Sequence, residues 1–164
     1  MTTVDSPLGT VSRDGDRDVV EFRRTYPDPP ETVWATLTES DRLARWYGSF
    51  TGDARPGGTI QLTITAPEDA GGPPATVRID ECEPNRRLRL TIEMGDGEPW
   101  VISVDLAPAP EGTVLGFRQV LPPGFSPTDV GPGWHWYLDR LGADLAGTPF
   151  PAWPDYEALG EHYA

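Results

Sequence analysis

Apolar and polar side chains alternate through the middle of the chain, which is the pattern of strands with one buried face. Ile60, Leu62 and Ile64 alternate with polar residues. Turn-forming pairs such as Pro84-Asn85 separate this segment from the ones that follow. The same period of two recurs at Val77 and Ile79, Leu88 to Ile92, Trp100 to Leu106, and Leu115, Phe117 and Leu121. The pattern therefore predicts a five-stranded antiparallel meander.

A helical period replaces the alternation over residues 130–146. Its apolar positions fall on one face of a helix, and its charged positions fall on the other. The apolar set is Trp134, Tyr137, Leu138, Leu141 and Leu145, and the charged set is Asp139, Arg140 and Asp144. Gly147 followed by Pro149 is a typical helix stop. We expect this helix to cover the apolar face of the sheet.

The start of the chain predicts a hairpin. Residues 8–13 and 19–26 can both be extended, and Asp14-Gly15 between them is a turn signal. Residues 1–7 show no periodic pattern and are expected to form a loose tail. We expect the second of these strands to lead directly into the first helix.

Two short helices are predicted after the hairpin. Asp28 precedes two prolines and is expected to cap a first helix that buries Val33, Trp34 and Leu37. The second helix is expected to bury Leu43 and Trp46 and to be capped by Thr38 or Ser40. The order of elements thus describes an α+β fold in which a curved antiparallel sheet grips a long C-terminal helix.

The amino-acid composition limits the kinds of partner that the protein is expected to bind. The chain has 164 residues, a net charge of −13, and arginine as its only basic residue besides histidine. We therefore expect no nucleic-acid partner, because such proteins carry a basic surface. No apolar run is long enough to span a membrane, and the single Cys82 forms no intrachain disulfide. We expect one soluble, cytoplasmic domain over residues 1–164, with an aromatic tail at 148–164 packed on its body.

Residues 33–38, Val-Trp-Ala-Thr-Leu-Thr, followed by Leu43-Ala44-Arg45-Trp46, resemble a signature of the START-like, helix-grip superfamily called SRPBCC. The closer resemblance is to bacterial homologues of the activator of heat-shock protein 90 ATPase, which Gly133-Trp134 and residues 138–141 also match. The resemblance covers residues 8–146 and implies a deep cavity between sheet and helix. It implies no reaction, because this superfamily includes carriers, receptors, cyclases and co-chaperones.

The residues themselves provide little chemistry. Only His135, His162 and Cys82 could act as soft metal ligands, and they lack ligand spacing, so we expect no metal and no cofactor. We assign no catalytic residue. His135 is either an acid or base at the cavity mouth or a partly exposed helix residue. Gln119 and Glu81 interrupt apolar faces, so each would contact a ligand or an internal polar group. Cys82 is expected opposite the apolar face of its strand.

Trp46, Phe50 and Leu62 are our candidate ligand-binding residues, with Trp100 and Trp134 as further lining. These aromatic and aliphatic side chains would either surround a flat or aliphatic molecule or simply fill the core. We expect the protein to bind a small hydrophobic or amphipathic molecule. The alternatives are a cyclase- or hydratase-like enzyme and a co-chaperone-type interaction domain. A homodimer through a sheet edge or the aromatic tail is compatible with the sequence.

Overall fold

The computed structural model describes residues 6–65, 72–93 and 95–163. Residues 1–5 of the expected tail and 66–71 of the loop between the first two meander strands lie outside this range. The strands are β1 (Thr10–Asp14), β2 (Arg17–Tyr26), β3 (Gly48–Gly52), β4 (Thr59–Ile64), β5 (Ala75–Glu83), β6 (Arg87–Ile92), β7 (Trp100–Ala109) and β8 (Gly112–Val120). The helices are α1 (Pro30–Thr38), α2 (Ser40–Leu43), α3 (Pro127–Ala146), α4 (Pro154–Glu157) and a final 3-10 helix (Ala158–Tyr163).

All eight strands form one antiparallel sheet in the order β1-β2-β8-β7-β6-β5-β4-β3. The predicted meander and N-terminal hairpin are therefore confirmed, and β2 joins them by pairing with β8. Strand β3 was not predicted. Its sequence, Gly-Ser-Phe-Thr-Gly, carries a single large apolar side chain and so gives no alternation signal.

The capping predictions for the two short helices were wrong. The residue before α1 is Pro29, and no side chain caps that helix; Asp28 instead uses its backbone carbonyl to accept a hydrogen bond from the Thr113 hydroxyl. No side chain caps α2 either. The Ser40 hydroxyl instead accepts from the backbone N–H of Phe50 and donates to the Phe50 carbonyl, both at 2.9 Å. Ser40 thus fastens β3 to the helix pair.

Helix α3 lies across the concave face of the sheet, as predicted. The Ser126 hydroxyl accepts from the Thr128 N–H at its start, and Gly147 ends it in the left-handed conformation with φ 70°. A Cβ at position 147 would strain this turn, which explains why glycine stands there. The buried set on α3 includes Leu138 and Leu141, which join one continuous core with the sheet. Among the described residues, no helix combines the length and the hydropathy needed to cross a bilayer.

The segment after α3 packs on the flank of that helix next to β2, where the Tyr163 ring also meets Phe22. Tyr156 and Tyr163 are buried, with Tyr163 only 1% exposed. The Tyr163 ring lies so close to α3 that a Cβ built on Gly131 would come within 2.5 Å of it. Helix α3 is consequently covered on two sides, by the sheet and by this C-terminal segment.

Candidate functional site

An apolar cavity lies between the concave face of the sheet and helices α1, α2 and α3. Its volume is about 130 Å³. Buried sheet residues form its floor, chiefly Ile60, Leu62, Val77, Ile79, Leu88, Ile92, Ile102, Val104, Leu115 and Phe117. The opposite wall consists of Leu37, Thr38, Leu43, Trp46, Tyr47, Phe50, Ala54, Trp134 and Leu138, with Cys82 and Leu90 completing the lining. Burial of apolar surface is the interaction that such a lining offers.

The three candidate ligand-binding residues all line this cavity. Phe50 on β3 and Leu62 on β4 are direct cross-strand partners, so their side chains share the concave face. The Trp46 indole N–H donates to the Thr36 carbonyl at 3.0 Å, which holds the ring with its apolar surface toward the cavity. The structure thus brings Trp46, Phe50 and Leu62 together, and their contact with a ligand stays a prediction.

Few polar groups line the cavity. Thr38 donates its hydroxyl to the Trp34 carbonyl, so that donor is already used. Tyr47 stacks on Trp134 with ring centroids 5.7 Å apart, and burial raises the pKa of its hydroxyl, which stays protonated. Among the described lining residues there is no carboxylate, imidazole or guanidinium. Tyr47 was missed by the sequence analysis because it directly follows Trp46 and falls outside the helical apolar set.

Cys82 also lines the cavity, which corrects the predicted orientation. The pairing of β5 with β6 shifts between Ile79 and Glu81, so Asp80 is the extra residue of a β-bulge. Side chains after a bulge change faces relative to a regular strand. Cys82 therefore turns into the cavity, and Glu81 points outward, where it pairs with Arg87 and Arg89. Burial raises the pKa of the Cys82 thiol, which makes it a poor nucleophile.

Gln119 is fully buried beside one end of the cavity. Its Oε1 accepts from the Trp134 indole N–H at 2.7 Å, and this donor fixes which end of the amide is oxygen. The amide nitrogen has no hydrogen-bond partner among the described residues. Trp100, the predicted further lining residue, does not reach the cavity; it packs edge-on against Phe125 instead.

His135 does not face the cavity, and it is not partly exposed. It lies between Phe22 of β2 and the C-terminal segment and is 0% exposed. Burial, assisted by the positive charge of Arg24, lowers the pKa of His135 to about 4, so the ring is neutral at pH 7. An acid or base role for His135 at the cavity is therefore wrong.

A directed set of hydrogen bonds explains why this neutral ring is tolerated. The Gly9 N–H donates to the Tyr163 hydroxyl, which then donates to His135 Nδ1 at 3.2 Å. His135 Nε2–H donates to the Ser6 hydroxyl at 2.7 Å, and Ser6 donates to Asp139 Oδ2 at 2.6 Å. With Nε2 protonated, His135 cannot accept the Ser6 proton. The Ser6–His135 contact is therefore structural, although serine and histidine lie side by side.

The predicted position of Asp139 was also wrong. It was expected on the solvent face of α3, but its side chain is only 14% exposed. Oδ1 accepts from Arg24 at 2.8 Å, and Oδ2 accepts from Tyr156 as well as from Ser6. The C-terminal segment supplies this cover, and no helical period in the sequence reveals it. Among the described residues, no group of three potential metal ligands is present.

The fold and its cavity define a START-like, helix-grip protein of the SRPBCC superfamily. Residues 28–146 match the family described as Activator of Hsp90 ATPase homolog 1-like protein. The chain belongs to this family, in agreement with the resemblance noted in its sequence. None of the curated proteins matches the sequence significantly.

Solved structures share the fold at low sequence identity. CalU16 from Micromonospora echinospora is 24% identical, with 94% of each chain covered and a TM-score of 0.76. EF2215 from Enterococcus faecalis, described as a conserved protein of unknown function, is 21% identical over 94% of this chain and 88% of its own, with a TM-score of 0.72. DynU16, described as a putative protein in the dynemicin biosynthetic locus, is 22% identical over 82% of this chain and 49% of its own, with a TM-score of 0.69.

Proposed function

We propose that the protein binds a small hydrophobic or amphipathic molecule in the cavity between the sheet and α3. The observation that carries this proposal is the almost wholly apolar lining of the cavity. Apolar burial contributes about 25 cal/mol per Å2 before ordering costs, so a ligand that fills the cavity gains affinity without any charged contact. Trp46, Phe50 and Leu62 are the proposed contacts.

The size of the cavity limits the ligand. At about 130 Å³ it is close to apolar protein cavities that accept benzene, and it is smaller than most sites for drug-sized molecules. The proposed ligand is therefore a single ring or a short branched chain, or the apolar end of a longer amphipathic molecule. Partly exposed lining residues, Leu37, Phe50 and Cys82 among them, mark where the polar end of such a molecule would emerge.

The lining supports binding over the two alternatives. A cyclase or hydratase needs an acid or base beside its substrate, and the described lining residues provide only hydroxyl and thiol groups. A co-chaperone role would be supported by a contiguous exposed apolar patch. In the described part of the chain, the large exposed apolar residues are few, namely Leu8, Val11, Val101, Phe125 and Phe150.

We also propose that the protein is located in the cytoplasm. A lone, unpaired thiol and a carrier-type cavity fit the reducing cytoplasm.

For self-association, the aromatic tail is engaged within its own chain, since Trp153 packs on Trp136 and Tyr163 is buried. The exposed edge strand β1 is therefore the surface we propose for a homodimer.

Native mass spectrometry of gently purified protein, followed by thermal shift, tests the proposal. We expect a stoichiometric small-molecule adduct, or a higher melting temperature with compounds near the size of benzene or indole. The matched variants are Leu90→Trp, which fills the cavity, and Val101→Trp, which adds the same ring on the outer face of β7. Loss of the shift in L90W with retention in V101W supports the site. Absence of any adduct and of any shift across the panel would overturn it.

A further inference from the structure

We infer a second binding site, for a carboxylate, in the groove beside Arg24. This groove has a volume of about 490 Å³ and lies between β2, the N-terminal segment and α3. It is lined by Ser6, Pro7, Arg23, Arg24, Thr25, Tyr26, Pro27, Leu138, Asp139 and Gly142. Leu138 also lines the apolar cavity, so it is a shared wall between the two spaces. The inference is independent of the ligand proposed for that cavity.

The Arg24 guanidinium carries the argument. The side chain is only 5% exposed, and its Nη1 donates to Asp139 Oδ1 at 2.8 Å. Its Nε and Nη2 atoms are buried and have no hydrogen-bond partner among the described residues. These two atoms form the edge of a guanidinium that binds a carboxylate through two parallel N–H···O bonds. The edge suited to carboxylate recognition is thus the one left without a hydrogen-bond partner.

A buried guanidinium edge without acceptors costs folding free energy, because its N–H groups have given up their hydrogen bonds to water. Asp139 does not satisfy it, because its carboxylate bonds to the guanidinium through Nη1 alone. Oδ1 accepts from Arg24 Nη1, and Oδ2 accepts from Ser6 and Tyr156. A bound carboxylate would provide the two missing acceptors at once.

The local charge fits a monoanion. Arg23, which also lines the groove, is exposed and forms no ion pair among the described residues. Arg23 lies on the outward face of β2, so its charge acts at the rim of the groove. Among the residues that line the groove, Arg23 and Arg24 against Asp139 leave one positive charge in excess. One carboxylate neutralises this excess, whereas a phosphate dianion would add a negative charge beside Asp139. The groove therefore favours a monocarboxylate.

The remaining walls describe the rest of the ligand. Pro7, Tyr26 and Leu138 offer apolar surface next to the guanidinium, which suits a short aliphatic or aromatic group. Ser6 and Pro7 form one wall of the groove, and the Ser6 hydroxyl bonds with His135 and Asp139 hold this wall in place. Because Arg24 Nε and Nη2 are shielded from solvent, binding requires a wall of the groove to shift.

Titration of the full-length protein with propionate, monitored at the Arg24 Nε–H signal by NMR, tests the inference. We expect a saturable downfield shift with propionate and none with propionamide, which has the same shape without the charge. Ionic strength is held constant with chloride, since exposed charges such as Arg23 are screened by salt. The rate of Cys82 alkylation is measured in parallel and should not change, because it reads the apolar cavity instead.

Two variants separate the site from effects on folding. Arg24→Lys keeps a cation for Asp139 and removes the fork, so propionate should bind about tenfold more weakly. Arg23→Gln changes an exposed residue, so the protein should stay folded. It should bind propionate a few fold more weakly. Arg13→Gln is the matched control, since Arg13 is an exposed arginine of β1 outside the groove.

Three results would overturn the inference. The first is an Arg24 Nε–H signal that does not move with propionate, or moves equally with propionamide. The second is unchanged propionate affinity in R24K, once its fold is verified by NMR. The third is inorganic phosphate binding as tightly as propionate, which would contradict the assignment to a monocarboxylate.

Discussion

The indole N–H of Trp134 on α3 donates to the side-chain oxygen of Gln119 on β8 at 2.7 Å. This bond is a polar link between helix and sheet inside an apolar core. Trp134 also packs on Phe117, with ring centroids 4.5 Å apart. The position of α3, and with it the width of the cavity, therefore depends on a polar bond as well as on apolar packing.

A double-mutant cycle measures this link. Trp134→Phe leaves both ends of the buried Gln119 amide without partners, so we expect it to lower the free energy of unfolding by about 1–3 kcal/mol beyond the loss of packing. Gln119→Met leaves the indole N–H unpaired and should cost a similar amount. The double variant should cost clearly less than the two single losses together, because it leaves neither group unpaired. Urea unfolding gives all four values, and strict additivity would contradict the coupling.

His135 should make stability pH-dependent. Its pKa in the folded protein is about 4, below its ordinary value of 6.5, so protonation favours the unfolded chain. The contribution of neutral His135 to the free energy of unfolding is complete above pH 6.5 and is lost as the pH falls toward 4. The loss should be on the order of 3 kcal/mol.

His135→Gln retains a hydrogen-bond donor but does not titrate, so its stability should decline less between pH 6.5 and 4. Urea unfolding at a series of pH values checks this expectation. If the free energy of unfolding fell equally with pH in the wild type and in H135Q, His135 would not be the titrating group.

Two glycines on α3 form a matched pair. A Cβ on Gly131 would lie 2.5 Å from the Tyr163 ring, whereas a Cβ on Gly133 would meet nothing within 4 Å. Gly131→Ala should therefore destabilise the protein by about 1–3 kcal/mol. Gly133→Ala should stabilise it by up to about 1 kcal/mol, because alanine loses less backbone entropy in a helix. Thermal unfolding of both variants measures the difference, and equal effects would contradict the close packing of the C-terminal segment.

Cys82 offers a reporter of the cavity. Its raised thiol pKa and position in the lining predict alkylation by a neutral reagent that is slower than that of an exposed cysteine. The comparison is Cys82→Ser combined with Ser12→Cys, which moves the single thiol to the exposed strand β1. A ligand in the cavity should slow alkylation of Cys82 and leave that of S12C unchanged. Equal rates at both positions would show that Cys82 is not enclosed.

The sequence predicts the fold well because the period of two and the period of 3.6 are strong, local signals. It misplaces Glu81 and Cys82, because a one-residue bulge at Asp80 exchanges the faces of the strand without interrupting its composition. Trp46, Phe50 and Leu62 were chosen as ligand contacts because of their aromatic and aliphatic side chains. All three line the cavity, and their contact with a ligand stays a prediction, because the ligand is not encoded in any local pattern.

The misplacement of His135 and Asp139 has a different origin. Both residues have polar side chains outside the apolar stripe of α3, where a solvent-facing position is the ordinary expectation. The segment that covers them lies 17 to 28 residues further along the chain, at Tyr156 and Tyr163. Contacts of this kind depend on the path of the chain after Gly147, and periodicity carries no information about that path.

The pairing of β2 with β8 determines how the protein can be divided. The family match begins at residue 28, yet β2 ends at Tyr26 and supplies Phe22 to the core. A fragment limited to residues 28–146 would lack β1 and β2 and would expose the whole edge of β8. An open, apolar strand edge recruits other chains. Such a fragment should aggregate during expression, and the family boundaries are therefore not the boundaries of the folding unit.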